Sequence, residues 1–281
     1  MKNITSYAQN WQKICLKQLP QKGQNLEIQQ ALNCGAKIEG NFADGKLAET
    51  SLLHFFLISG TQFILFDELL SILAAPVFVR FLVLSVLSLL SGWQPAVVRI
   101  LCTFSLRQST QRFKIFLPAD LVILAGGLLL LFLFPAWWKS EGLLLGWCAA
   151  LAFCIPQILH IKKKSSRWVC AQVALLIFIS VPLSGLTSIH PLGMVFQLLL
   201  SPFITYLLLP LSLLSFAFPF LVDLFDSLFA VFQIVLQKFS EGSLPAETSA
   251  WTLSQLWWWM ALLHIGLHFL RIYRWQGRDT R

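Results

Sequence analysis

The sequence predicts an all-α, polytopic transmembrane helical bundle of about eight or nine helices, short or re-entrant segments included. Three observations predict it. Of the 281 residues, 57% are hydrophobic and 12% are charged, where a water-soluble domain carries about 25% charged residues. Several windows of roughly 20 residues hold no charge, enough to cross the hydrocarbon core of a bilayer; Leu128–Phe134 reads LLLLFLF. The lysines and arginines gather between and after these windows, the pattern that sets membrane topology.

In chain order, residues 1–50 form a polar N-terminal region. Its Gln, Lys and Asn with sparse apolar positions predict one or two surface or interfacial helices, too short to bury a core of their own. The N-terminus lacks an apolar core followed by small residues, so no cleaved signal peptide is predicted and the first long apolar segment acts as the insertion signal. Residues 51–270 make the transmembrane domain. Its segments run from Ser51 to Leu73, Ala74 to Leu90, and Ala96 to Ser105, the last short for a crossing. Leu117 to Trp138, Gly142 to His160 and Trp168 to Leu186 follow. Pro191 to Phe218, interrupted by Pro202 and Pro210, precedes Pro219 to Phe239 and Trp251 to Leu270. Residues 271–281 are a basic cytoplasmic tail.

Three basic clusters mark the cytoplasmic side: Arg107, Arg112 and Lys114; Lys162, Lys163, Lys164 and Arg167; Arg271, Arg274, Arg278 and Arg281. The net charge of +8 fits this topological role, and fits an anionic partner as well. If the short segment after Pro95 completes a crossing, residues 1–50 lie outside. If it is re-entrant they lie in the cytoplasm, which their lysines favour.

Polar groups inside apolar segments each cost free energy unless paired or hydrated, roughly 2.5–3.5 kcal/mol for a charge at mid-membrane. The N-terminal half concentrates them in His54, Ser59, Gln62, Asp67, Glu68, Arg80 and Arg99. Helical spacing puts Phe55, Ser59 and Gln62 on one face, with His54 about 100° away. Gly60 allows a kink or a close backbone approach; the stretch either packs against another helix or lines a cavity. Asp67 and Glu68 fit the membrane interface. Arg99, following Pro95 at a helix start, either snorkels to the headgroups or aims a fixed charge at a polyanion or buried carboxylate.

Trp137, Trp138, Trp251, Trp257, Trp258 and Trp259 fit a membrane-interface belt or stacking platforms for bases. Cysteines 15, 34, 102, 148, 154 and 170 show no CxxC and no metal-ligand spacing, and several sit in apolar runs; neither a disulfide nor a metal site is predicted. His264 and His268 lie one turn apart without a third ligand near. No HExxH, GxSxG or Walker-type loop is present. The sequence therefore predicts no catalytic residues, no cofactor and no enzyme.

The stretches Ala31-Leu32-Asn33-Cys34-Gly35 and Leu53-His54-Phe55-Phe56-Leu57-Ile58-Ser59-Gly60-Thr61-Gln62-Phe63 resemble the membrane competence domain of the ComEC family, with its ALLLG-like segment and GLxHLLAISGLH-like signature. Ser91-Gly92-Trp93-Gln94-Pro95-Ala96-Val97-Val98-Arg99 looks like the family's TGxSPSxxR segment. Leu121 to Pro135 followed by Gly142, Ala171-Gln172 to Pro182, and Gln197 to Pro202 resemble its later elements in the same order. The departures are Gln62 for the family's second histidine, Ser51 for a glycine, Gln197 for an asparagine, Phe134 for an aspartate, and Leu144 and Gly146 for a glutamine and a serine. No HxHxDH sequence occurs, so a nuclease role is not carried over.

The resemblance implies a multi-pass bacterial inner-membrane channel that passes transforming single-stranded DNA, with residues 1–50 outside. His54, Ser59, Gly60, Gln62, Pro95, Arg99, Gln197 and Pro202 are the motif or DNA-path residues it points to. A cytoplasmic ATPase or helicase and a periplasmic DNA receptor are its implied partners besides membrane lipid. A homodimer is expected if one small bundle is too narrow for strand and bases. The competing expectations are a divergent relative that transports another anionic or small solute, and a non-transporting membrane scaffold.

Overall fold

The computed structural model describes residues 2–20, 25–36, 60–184, 199–200, 202–240 and 251–279, with side chains placed except at 2–5, 60–62, 64–65, 183–184, 239–240 and 275–279. Among the described residues every regular element is helical. In order these are α1 (Lys2–Gln18), α2 (Leu26–Cys34), α3 (Gly60–Ile72), α4 (Val77–Leu90), α5 (Pro95–Arg112) and α6 (Ala119–Leu133). A 3-10 turn, Pro135–Lys139, leads to α7 (Glu141–Ala152), the single turn α8 (Ile155–Ile158) and α9 (Lys164–Ser184). After a π turn at Ile204–Leu208 come α10 (Leu209–Ala217), α11 (Val222–Ser240) and α12 (Leu253–Asp279).

Among the described residues, three helical stretches are long and apolar enough to cross a membrane: Glu141–Ile158, Lys164–Pro182 and Pro219–Lys238. Val77–Leu90, Ala119–Leu133 and Ile204–Ala217 are shorter apolar helices. Large apolar side chains stand on the outside, Phe132 at 81% and Phe220 at 73% exposure among them. That surface is of the kind lipid solvates and water does not.

The expected short segment Ala96–Ser105 is corrected. α5 runs for 18 residues, about 27 Å at 1.5 Å per residue. The polar continuation Leu106–Arg112 stays helical because Leu, Arg and Gln are good helix formers, and the Thr110 hydroxyl donates back to the Arg107 carbonyl at 2.9 Å. The basic group Arg107 and Arg112 therefore belongs to the helix end, not to a loop.

The chain divides into two units, Met1–Leu101 with Ser188–Ala246, and Cys102–Thr187 with Glu247–Arg281. In the first, α1 packs on α4, α3 on α4, and α2 on α10. The polar N-terminal region is thus not merely superficial. Ile28 and Leu32 of α2 enter a core with Ile204 and Leu208 of the π turn, Leu211 of α10, and Phe225, Phe229 and Phe232 of α11. α3 ends in a left-handed closure at Ala74 (φ 53°), the Ala75 N–H reaching the Leu70 carbonyl at 2.9 Å, which turns the chain into α4. Arg80 of α4 reaches back to Asp67 of α3 through Nε (2.8 Å) and Nη2 (2.6 Å). Both partners are partly exposed, so the pair contributes at most about 1 kcal/mol.

The π turn has a local cause. Pro210 has no N–H to return to the Tyr206 carbonyl in an α ladder. The preceding turn opens by one residue, and the Leu209 N–H bonds to the Ile204 carbonyl.

In the second unit α7 packs against α9, α12 and α6. Ser140 caps α7, accepting from the Leu143 N–H at 3.3 Å. Gly127 of α6 lies against the Trp147 ring: a Cβ there would stand 2.1 Å from a ring carbon. Trp147 is fully buried and its Nε1 donates to His264 Nε2 at 2.9 Å. Gly127→Ala forces the indole aside and breaks that bond; the expected loss is about 1–3 kcal/mol, read as a lower thermal midpoint in detergent with altered tryptophan emission. An unchanged midpoint and spectrum would show that the ring does not depend on this approach.

Candidate functional site

The first unit gathers its polar contacts around the end of α2. α1 carries Cys15 on its inner face and Leu19 follows its last residue, both buried, and α2 closes at Gly35 in the left-handed conformation (φ 62°). The Gly35 N–H returns to the Ala31 carbonyl (3.1 Å) and the Ala36 N–H to that of Gln30 (3.2 Å), which satisfies carbonyls the helix end leaves open. A side chain at 35 would be strained by its φ and would meet Gln94 Nε2 at 2.7 Å and the Ser91 carbonyl at 2.9 Å. Glycine is what lets α2 seat on the α4–α5 turn.

Two amides fix that seating. Gln12 Nε2 donates to the carbonyls of Cys34 (2.9 Å) and Gly35 (3.2 Å), and Gln94 Nε2 donates to the Gly35 carbonyl. Cys15 and Cys34 form a disulfide, with Cα atoms 5.9 Å apart, packed by Leu16, Leu90 and Phe216. The expectation of no disulfide is overturned. The two cysteines stand 19 residues apart, a spacing with no signature; the antiparallel return of α2 along α1 brings them together. Disulfides persist in oxidising compartments.

Pro95 occupies the first position of α5, where its missing N–H costs nothing. One turn on, Arg99 is 4% exposed, buried with Ala96, Val97 and Val98. A side chain so enclosed does not stand on the outer surface of the unit. On the other side of α2, Asn33 Nδ2 donates to the Ser212 carbonyl of α10 at 3.0 Å. Asn25 at the start of α2 donates to Asp226 Oδ1 (3.0 Å) and accepts from Gln233 Nε2 (3.5 Å). Pro202 is half-buried just ahead of the π turn.

Of the sequence-predicted residues, Pro95 follows Gln94, which is bonded to Gly35, with Arg99 one turn further along α5; Asn33 of the 31–35 segment is bonded to Ser212 in the chain that follows Pro202. His54, Ser59 and Gln197 lie outside the described residues. Gly60 and Gln62 fall in the first turn of α3, with side chains that are not described.

The second unit holds a polar group that sequence reasoning missed. Asp120 of α6, 3% exposed, takes Arg271 Nη1 at 2.5 Å, and Arg271 Nη2 meets His268 Nδ1 at 2.8 Å. His264, His268 and Arg271 recur at helical spacing on α12, a stripe visible in the sequence; its partner 151 residues away is not. Among the described residues no group of His, Cys, Asp and Glu is arranged to hold a metal ion. Two of the tryptophans make structural bonds: Trp257 Nε1 donates to the Trp138 carbonyl and Trp259 Nε1 to the Phe178 carbonyl, each at 3.0 Å. Trp138, Trp257 and Trp258 line an open pocket with Ser254.

No protein-family model matches the chain, and no match is found among the curated proteins or the solved structures.

Proposed function

We propose that the chain is a multi-pass inner-membrane channel or permease subunit that takes up transforming single-stranded DNA in natural competence, built like the membrane competence domain of the ComEC family. The observation that carries the reading is the meeting, in the first unit, of two segments that resemble that family's motifs and lie far apart in the chain, 31–35 and 91–99. Gly35 is bonded to Gln94 and Asn33 to Ser212, with the enclosed Arg99 one turn below Pro95.

Two independent features support an orientation. The disulfide argues for the oxidising, periplasmic side at the α1–α2 joint and the adjacent start of α5. α5 then runs about 27 Å to Arg107 and Arg112, which the distribution of basic residues assigns to the cytoplasm. This is the option in which the segment after Pro95 completes a crossing and residues 1–50 lie outside.

A DNA strand cannot pass through lipid, because each phosphate carries a charge that hydrocarbon does not solvate. It needs a hydrated path with enough positive charge to offset phosphates and too little to retain them. Arg99, enclosed at 4% exposure, is the single positive charge that the reading assigns to that path. Leu144 and Gly146, where the family carries polar residues, are buried in the apolar face of α7, so the reading assigns the path to the first unit and a supporting role to the second. A cytoplasmic ATPase or helicase supplies the energy, and a periplasmic receptor delivers the DNA.

The test is transformation frequency in a clean deletion strain of a competent host. Deletion abolishes transformation and wild type restores it. Arg99→Ala, at matched membrane abundance, restores a tenth or less: a charge-assisted contact contributes about 1.5–3 kcal/mol, and about 1.4 kcal/mol is tenfold. Undiminished transformation in the deletion strain would end the DNA reading and leave transport of another solute, or a scaffold.

A further inference from the structure

Gln29 lies in the middle of α2 at 1% exposure, enclosed as completely as Ile28 and Leu32 of the same helix. Among the described residues neither its Nε2 nor its Oε1 has a hydrogen-bond partner. Asn33 follows one turn later on the same face; its amide nitrogen is used on the Ser212 carbonyl, while its Oδ1 is buried with no partner among the described residues. Ser212 is 0% exposed. Its carbonyl accepts from Asn33 and from the Ser215 hydroxyl at 2.7 Å, but its own Oγ finds no partner among those residues.

Four buried polar atoms at the α2–α10 face are therefore left unsatisfied by the described residues. Such atoms are rare singly, and a cluster in a dry interior opposes folding strongly. The set is chemically matched to water. Gln29 offers two N–H donors and an acceptor, Asn33 an acceptor, Ser212 both, and a buried water makes two to four such bonds. None of the three side chains is charged. We propose that Gln29, Asn33 and Ser212 line an internal hydrated site in the first unit, open to small polar solutes from the side that carries the disulfide. Its role as a stretch of DNA path rests on the function proposed above; its hydration does not.

The experiment uses the full chain in native membranes, with Cys102, Cys148, Cys154 and Cys170 changed to serine and the Cys15–Cys34 disulfide retained. Gln29→Cys, Asn33→Cys and, as a closed-core reference, Leu208→Cys (a 0% exposed position of the same unit) are treated from outside with a small, membrane-impermeant cationic thiosulfonate. Thiols at 29 and 33 are expected to react at least about tenfold faster than the thiol at 208, the ratio that about 1.4 kcal/mol of easier access gives. Equal, negligible reaction at all three positions overturns the proposal. Gln29→Leu gives a second readout that needs no cysteine. A hydrated site loses partners for its waters and the thermal midpoint falls; a dry core loses an unsatisfied amide and the midpoint rises, which also overturns the proposal. Reaction at 29 in a chain whose deletion leaves transformation unchanged upholds the site and removes the DNA reading, so the two fail separately.

Discussion

Cys15→Ser lowers the stability of the first unit by about 3 kcal/mol, the chain-entropy value for a closed loop of this length, the cross-link spanning 19 residues. The link holds α1 to the end of α2, and the small cluster of Leu16, Leu19, Leu90 and Phe216 is assembled upon it. Without it the Gly35 turn keeps its own backbone bonds and the Gln12 and Gln94 amides. The measurement is denaturant or thermal unfolding in detergent, wild type against Cys15→Ser, Cys34→Ser and the double variant. The three variants are expected to lose similar amounts, because each removes the same bond. A mass-tagging maleimide gives the parallel check: denatured protein from intact cells exposes four thiols before reduction and two more after it. Six reactive thiols before reduction would sink both the disulfide and the orientation drawn from it.

Asp120→Ala destabilises the second unit by about 3 kcal/mol, the lower end of the range for breaking a buried ion pair. The lower end applies because Arg271 is 23% exposed and partly screened, whereas Asp120 is 3% exposed. Most of the loss comes from the arginine left beside the empty position, so Asp120→Ala combined with Arg271→Leu recovers more than half of it. A double-mutant cycle on thermal midpoints measures this. Strict additivity of the two single changes would mean that the pair does not clamp α6 to α12.

The helical class was legible because it rests on composition and on charge-free stretches, which need no partner to be recognised. Pro76, Pro95, Pro118, Pro135 and Pro219 each stand at or just before a helical start; Pro95 and Pro219 are segment boundaries in the hydropathy pattern as well, whereas Leu117–Trp138 reads as one segment through Pro118 and Pro135. The end of α5 was not legible, because Arg107–Arg112 reads as loop when hydrophobicity is the guide, although its residues favour a helix. Arg99 was legible as an oddity but not as an enclosed side chain; that depends on what α5 packs against. The disulfide and the Asp120–Arg271 pair were invisible for one reason: each joins residues whose separation carries no repeat, motif or periodicity. Gln29 was passed over in a stretch of glutamines, and only packing distinguishes it from the partly exposed Gln30 beside it.

The π turn ahead of Pro210 adds a residue to one turn and so acts as a phase slip. Each residue of an α-helix advances the side-chain direction by about 100°. Shortening that turn by a single residue swings Ser212 and Ser215 away from α2 and carries a leucine toward Asn33. The number of residues between Pro202 and Ser212 is thereby fixed to the unit, like the tooth count between two meshed gears. Sequence drift along this stretch is confined to exchanges of side chain, and a one-residue insertion or deletion there is the change the first unit tolerates least.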